Sequence, residues 1–316
     1  MLIGHEDAWA AWNAARNGER MHHAWLLIGK AGLGKTQFAL AAAQSLVGGG
    51  GDPARHPDIL RISYGPKTKE DAKKRDDGKP FELARGIKIE QVRETQRRLT
   101  TRPTLGDWRV VIIDPADDME TGAANALLKS LEEPPQGCVF LLVSHNPSRL
   151  LPTIRSRCRT LRFAGLSDEA LGRFLADRVP DAPGAERSAA VLAAAGSPGA
   201  ALAFLGLGLA PLAKAMRHIR DSGDLGFDAR GELASLIGQR PDRERMRAVL
   251  DLARTLAGEG AETLPARLAA KRIDAHSALV RLSAEQATYN YDPGLFALEI
   301  GNLLAACAAA STPADA

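Results

Sequence analysis

Through the first half of the chain, short apolar runs alternate with stretches whose apolar residues recur every three or four positions. The runs Trp25 to Ile28, Ile59 to Ile62, Val110 to Ile113, Val139 to Val143 and Thr160 to Phe163 predict buried strands. Helical spacing predicts helices over Asp7 to Gly18, over the QFALAAAQSLV segment after Thr36, over Ile87 to Thr100 and over Thr121 to Leu131. In the last of these, Ala124, Leu127, Leu128 and Leu131 fall on one face. Strands that alternate with helices build a parallel sheet covered by helices. Past residue 165 or so only the helical rhythm remains. Ser167-Asp168-Glu169 starts a helix with a hydroxyl cap and acids in the first turn. Met246, Val249, Leu250, Ala253 and Leu256 share a face, and Leu295 to Ala309 forms an Ala-rich last helix.

Glycine and proline punctuate this pattern. Gly48 to Gly51 break the second helix, Pro134-Pro135 stops the fourth, and Gly206, Gly208 and Pro211 mark a boundary in the helical half. Residues 64–83 mix Lys67, Lys69, Lys73, Lys74, Arg75 and Lys79 with acids, glycine and proline. That composition favours a solvated, mobile surface loop over a nucleic-acid finger. Arg93, Arg97 and Arg98 flank the apolar stripe of the third helix, where a phosphate-facing role and a solvated face stay open.

The stretch that changes the picture is Gly29-Lys30-Ala31-Gly32-Leu33-Gly34-Lys35-Thr36, a full GxxxxGK[ST] loop between a strand and a helix. Gly29, Gly32 and Gly34 permit the tight path that turns successive amides toward phosphate oxygens. The helix that follows adds its free N–H groups and positive dipole end. Lys35 is then expected to meet the β and γ phosphates, and Thr36 to ligate Mg²⁺ through its hydroxyl. Asp114 ends the third apolar run, so in a parallel sheet it lies beside the loop and reaches Mg²⁺ through water. Ser144, at the end of the fourth run, points into the same crevice and is placed to sense the γ-phosphate. Pro115 follows Asp114, where many phosphate-loop ATPases carry a water-orienting Glu.

Composition narrows the class. With 316 residues, 45% hydrophobic and 25% charged, the chain predicts two or three domains of a soluble globular protein. No apolar run approaches the roughly 18 residues of a membrane span, and MLIGHEDAWAAW lacks a secretory pattern, so a cytoplasmic protein without membrane partners is expected. Cys138, Cys158 and Cys307 are far apart with no CxxC pair, which supports neither a disulfide framework nor a Cys-rich zinc site. A net charge of +3, from 41 basic and 38 acidic residues, is too even to argue for nucleic acid by itself.

Taken together, GKAGLGKT, RVVIIDPADDM, ANALLKSLEEPP, HNPSRLLPTIRSRC and AAGSPGAALAF, in this order, resemble the bacterial clamp-loader AAA+ family of the DNA polymerase III holoenzyme, and within it the delta-prime branch. The resemblance runs from about Leu2 to Phe204. It implies an α/β P-loop (AAA+) nucleotide-binding domain with a parallel sheet over residues 1–164, a small helical lid over 165–208, and an all-α collar domain over 209–316. It further implies that Arg157, in Ser156-Arg157-Cys158, is an arginine finger extended into a neighbouring subunit's ATP site. Lys35, Thr36 and Asp114 match the family's nucleotide-site residues, with Ser144 near its γ-phosphate sensor. The partners implied are motor and delta-type subunits in a hetero-pentamer, the sliding clamp, and primer-template DNA through the assembly.

Three departures qualify the resemblance. Pro115 replaces the motor subunits' Glu; Gly196-Ser197-Pro198-Gly199-Ala200 lacks the lid arginine; and Gly48 to His56 lacks the four cysteines that hold zinc in many members. The expectation is therefore no zinc, and ATP-Mg²⁺ bound weakly or without hydrolysis. The alternatives are a catalytically active clamp-loader-type ATPase and, more distantly, a P-loop kinase, in which the NALLK and SRC segments have no role.

Overall fold

The apolar runs pair because each carries main-chain donors and acceptors that burial leaves with no other partner. The strands are β1 (Ala24–Ile28), β2 (Ile59–Ile62), β3 (Arg109–Ile113), β4 (Cys138–Ser144) and β5 (Arg159–Arg162). They form one parallel sheet in the order β2-β3-β4-β1-β5. The computed structural model describes residues 4–18, 21–286 and 292–309, so the outer ends of the expected first and last domains lie outside the described residues. By its internal contacts the chain divides into two units, Met1–Gly165 and Leu166–Ala316.

In the first unit, helices α1 (Glu6–Arg16) and α2 (Lys35–Val47) cover one face of the sheet. Helices α3 (Lys69–Asp76), α4 (Ile89–Leu99), α5 (Thr121–Glu132) and the one-turn α6 (Pro152–Arg155) follow in the chain, and α4 and α5 cover the other face. Alternate residues of each strand supply the two cores: Trp25, Leu27, Val110, Ile112, Leu141 and Val143 on one side, Leu26, Val111, Ile113, Phe140 and Leu142 on the other. Aromatic packing stiffens the α1–α2 side. Trp9 lies 4.4 Å from Phe38 and Trp12 5.4 Å from Trp25, ring centre to ring centre, and the Trp12 indole donates to Ser45 Oγ at 3.1 Å.

Residues 64–83 are not the plain loop that their composition suggests. α3 forms because Thr68 and Asp71 make a reciprocal capping box, and Asp71 also accepts from the Glu82 amide at 3.2 Å, which draws the segment back on itself. An isolated antiparallel bridge, Pro66 to Leu83, closes its base.

At the amino ends of β2 and β3 a buried ion pair fastens the loop that follows α4. Arg109 donates to Asp58 Oδ1 through Nε and Nη2 at 3.2 and 3.0 Å, and its remaining donors meet the carbonyls of Arg98, Thr101 and Arg102. Asp58 also accepts from the amides of Thr104 and Leu105 at 2.8 and 2.9 Å. Burial opposes the charge on Asp58, but those amides and the Arg109 guanidinium outweigh it and hold the carboxyl below its usual range.

The second unit is helical: α7 (Asp168–Arg178), α8 (Gly184–Ala194), α9 (Pro198–Gly206), α10 (Ala210–Ser222), α11 (Asp228–Ile237), α12 (Arg243–Gly258), α13 (Ala266–Gln286) and α14 (Pro293–Ala305). One apolar core runs through it, with Phe204 before the Gly206 to Pro211 boundary and Leu209, Leu212 and Met216 after it. Arg245 ties the same parts together by donating to the carbonyls of Leu207, Leu236 and Ile237. α14 begins two residues earlier than the apolar pattern suggests, because Asp292 caps the amides of Gly294 and Leu295 and Pro293 fits the first helical turn. Among the described residues no single helix is long and apolar enough to cross a membrane.

The clasp makes a stability prediction. Asp58→Ala strands the Arg109 guanidinium in the interior and should cost about 3–5 kcal/mol in a urea unfolding experiment. Because its pKa is lowered on folding, the contribution of Asp58 is present above the unfolded carboxylate pKa and is lost as pH falls through the folded value. The difference between parent and Asp58→Ala should therefore shrink in strong acid.

Candidate phosphate-binding site

The site is assembled from the carboxyl ends of three adjacent strands, β3, β4 and β1. β1 delivers the chain into the glycine loop. Gly29 has φ 154°, Gly32 78° and Gly34 84°, values that side chains other than glycine rarely adopt. A Cβ at Gly29 would lie 2.5 Å from the Phe163 carbonyl oxygen, so this position is closed to any larger residue by space as well as by φ.

α2 then starts at Lys35 with Gly34, which has no side chain to cap it, as its left-handed cap. Lys35 is buried, and its Nζ donates to the Gly29 and Lys30 carbonyls at 2.6 Å each. The positive end of a helix dipole beside a buried ammonium is a setting that favours an anion. Next to it, Thr36 Oγ1 donates to Asp114 Oδ2 at 2.7 Å. A hydroxyl and a carboxylate from two different elements thus present hard oxygen atoms side by side, the donor type that Mg²⁺ prefers.

Ser144 pairs with Ile28 in the sheet register, one residue before the loop. Its side chain is buried and its Oγ has no hydrogen-bond partner. A buried orphan hydroxyl is costly unless a ligand or water meets it.

Two further residues shape this edge, and neither stood out in the sequence. Asp117, buried in the turn after β3, accepts from the backbone amides of His145 and Asn146 at 3.1 and 2.8 Å. It thereby ties the end of β4, and so Ser144, to the segment that carries Asp114. Burial pushes the Asp117 carboxyl up, the His145 and Asn146 amides oppose this, and the charge of Asp118 adds to it. Asp118 itself receives hydrogen bonds from Tyr64 and from Arg149, the latter at 2.7 Å. Asp114 ends an apolar run, but beyond it the sequence has no periodicity by which Asp117 could be told from Asp118.

Histidine 5 is the other. His5 Nε2 lies 2.8 Å from the Leu33 carbonyl, and its ring is 4.7 Å from that of Phe163. The segment before α1 thus braces the glycine loop from outside.

Arg157 does not join this cluster. It follows α6, and its guanidinium donates to the Thr153 carbonyl at 3.0 Å and is ion-paired with Glu132 at 2.8 Å. The three thiols are free, and burial pushes that of Cys158 up to about 12. Among the described residues no group of three or more His, Cys, Asp or Glu is placed to hold a metal ion.

A glycine loop between the first strand and its helix, with a threonine bonded to the carboxylate at the end of a nearby parallel strand, defines the P-loop α/β class. The comparisons then narrow it. The family described as DNA polymerase III, delta subunit, matches residues 4–167, and the chain belongs to this family of clamp-loader proteins. The Pseudomonas aeruginosa DNA polymerase III subunit delta-prime is 33% identical over 204 residues, 60% of this chain and 57% of its own length. The Bacillus subtilis subunit delta-prime is 33% identical over 167 residues, covering 48% and 45%. A Buchnera aphidicola subunit gamma is 34% identical over 160 residues, covering 49% and 42%. The chain thus spans between 42% and 57% of the length of these relatives. A solved Thermotoga maritima DNA polymerase III gamma subunit-related protein covers 94% of this chain and 98% of its own, at 19% identity and a TM-score of 0.46, a likeness too low to add to what the sheet topology shows.

Gly29→Ala tests the tightness of the loop. It should lower stability by roughly 2–4 kcal/mol in thermal unfolding, from backbone strain and contact with Phe163. Gly172→Ala, where an added Cβ meets nothing within 4 Å, should be neutral or slightly stabilising.

Proposed function

We propose that the chain is a delta-prime-type subunit of a bacterial DNA polymerase III clamp loader, and that it holds ATP-Mg²⁺ without turning it over. The observation that carries this reading is the sequence of groups at the β3 end. Asp114 bonds Thr36 at 2.7 Å, but the next residue is Pro115, which has no acid-base group to orient water. Lys35 and the amides of the loop would bind the β and γ phosphates, Thr36 and Asp114 would hold Mg²⁺ directly and through water, and the Ser144 hydroxyl would meet the γ-phosphate. The bound ion would supply charge neutralisation between the phosphates. In the second unit, Ser197 caps α9 by accepting from the Ala200 amide, and the Gly196 to Ala200 stretch brings no arginine to a nucleotide.

In this reading residues 1–164 are the AAA+ nucleotide-binding domain, 165–208 the lid and 209–316 the collar that joins a hetero-pentamer with motor and delta-type subunits. Arg157 lies apart from the chain's own phosphate loop and belongs to a neighbour's ATP site. There its planar donors would spread over phosphoryl charge. The assembly would act in the cytoplasm, placing the sliding clamp on primer-template DNA. The competing reading is a self-sufficient ATPase, which the intact phosphate loop permits and Pro115 opposes.

Equilibrium titration of the purified chain with labelled ATP and Mg²⁺ is expected to show saturable binding that Lys35→Ala abolishes, with no steady turnover on the same sample. Sustained turnover by the isolated chain would establish the ATPase reading instead. In a reconstituted clamp loader, Arg157→Ala should lower ATP turnover by about 10³-fold or more at the site it serves, the scale of such fingers in related chemistry; unchanged turnover would remove the finger assignment.

A further inference from the structure

Glu132 stands where helix electrostatics disfavour it. α5 ends with Glu132 and its cap Glu133, two carboxylates at the negative end of the helix dipole, with Lys129 as the only basic residue in the last turn. Such a placement weakens the helix, and residues that break a local rule are where function is found. Glu132 Oε1 lies 2.8 Å from Arg157 Nη2, with side-chain exposures of 50% and 35%. Arg157 Nη1 donates in addition to the Thr153 carbonyl at 3.0 Å. A guanidinium carries five N–H donors in one plane. One accepting carbonyl and one ion-paired carboxylate on its own chain hold that plane, and other donors remain for a ligand.

Both halves of the pair stand on rigid ground. The carbonyl of Leu131, next to Glu132, is bonded by His23 Nε2 at 3.0 Å, which ties the end of α5 to the start of β1. The turn that carries Arg157 is anchored by the buried Ile154 and by the bond from the Arg157 amide to the Ile154 carbonyl at 3.2 Å. An exposed ion pair of this kind adds little to stability. What it supplies is orientation: a long, many-rotamer side chain held near one geometry loses less entropy when it engages a ligand.

We propose that Glu132 is the positioning residue for Arg157, a splint that sets the plane and reach of the guanidinium before it meets a phosphate in a neighbouring subunit. This rests on the finger role given to Arg157 above. The competing effect, a carboxylate that merely occupies the guanidinium, predicts the opposite sign and is separated by experiment.

The test is steady-state ATP turnover of the reconstituted clamp loader carrying Glu132→Ala, Glu132→Gln, Glu132→Lys, Arg157→Ala or Glu132→Ala with Arg157→Ala, with thermal unfolding of each isolated chain as the folding control. Glu132→Ala should lower kcat about three- to tenfold at unchanged KM for ATP. Glu132→Gln, which keeps the side chain's size but removes the charge that pairs with the guanidinium, should fall between the parent and Glu132→Ala, and Glu132→Lys, on the same exposed position, should fall furthest of the three. The double variant should be no slower than Arg157→Ala alone. If Arg157→Ala slows turnover while Glu132→Ala equals or exceeds the parent, the splint is wrong and the finger stands. Equal further loss on removing Glu132 from the Arg157→Ala background would also overturn it, since the two would then act independently. If Arg157→Ala itself has no effect, the finger reading fails, and the splint with it.

Discussion

The three central strands, β3, β4 and β1, are withdrawn from solvent on both faces, so the polar groups they present outward are those at their ends. Because the strands are parallel, all the carboxyl ends lie on one edge. That constraint, rather than any direct attraction among the site residues, collects Gly29, Asp114 and Ser144 from positions far apart in the chain. The order β3-β4-β1 places the strand that ends in Ser144 between the carboxylate strand and the glycine-loop strand. The Thr36 hydroxyl then spans that gap to reach Asp114. The aromatic packing of Trp9, Trp12, Trp25 and Phe38 holds α2, and with it the loop, at a fixed height above this edge.

The two edges of the sheet use charge in opposite ways. At the amino edge, Asp58 and Arg109 are fully engaged with each other and with loop amides and carbonyls, and the carboxyl is held below its usual range. Its contribution to stability grows as pH rises through the acid range and is complete above the unfolded carboxylate pKa. At the carboxyl edge, burial pushes Asp117 up despite two backbone amides, so ionising it costs stability as pH rises through its folded value. The first is a structural clasp that can be satisfied completely. The second is a carboxylate kept in an unfavourable place because the loop after β4 must be held beside Asp114. Ser144, left with no partner, belongs to the same pattern of local cost at a site that a ligand would complete.

Arg157 and Glu132 extend that pattern beyond the phosphate loop. In the function proposed above, Pro115 beside the phosphate loop and Arg157 on its own turn would divide binding from catalysis within one chain. The helical unit is built differently, around one continuous apolar core with Arg245 bonded to three carbonyls.

Much of this was legible in the amino-acid order. The strand and helix rhythms, the glycine loop, Asp114 and Ser144 as strand ends, and the family likeness all rest on local patterns, since period, glycine content and motif spacing survive without knowledge of the fold. What stayed hidden depended on long-range pairing. Residues 64–83 look like a disordered charged loop by composition, yet a capping box and one contact from Asp71 to Glu82 give them a helix. Arg109 looks like the polar start of a strand, and only the meeting of β2 and β3 reveals its buried partner Asp58, 51 residues away. Asp117 could not be told from Asp118, and Glu132 lay inside the ANALLKSLEEPP segment with no role attached. The sequence by itself determined the glycine loop and the polar residues at the strand ends, because these lie in residue type, local backbone freedom and hydrophobic pattern. Only the tertiary structure decided which carboxylates hold those residues in place, because a hydrogen bond depends on where two distant segments are brought together and leaves no period in the chain.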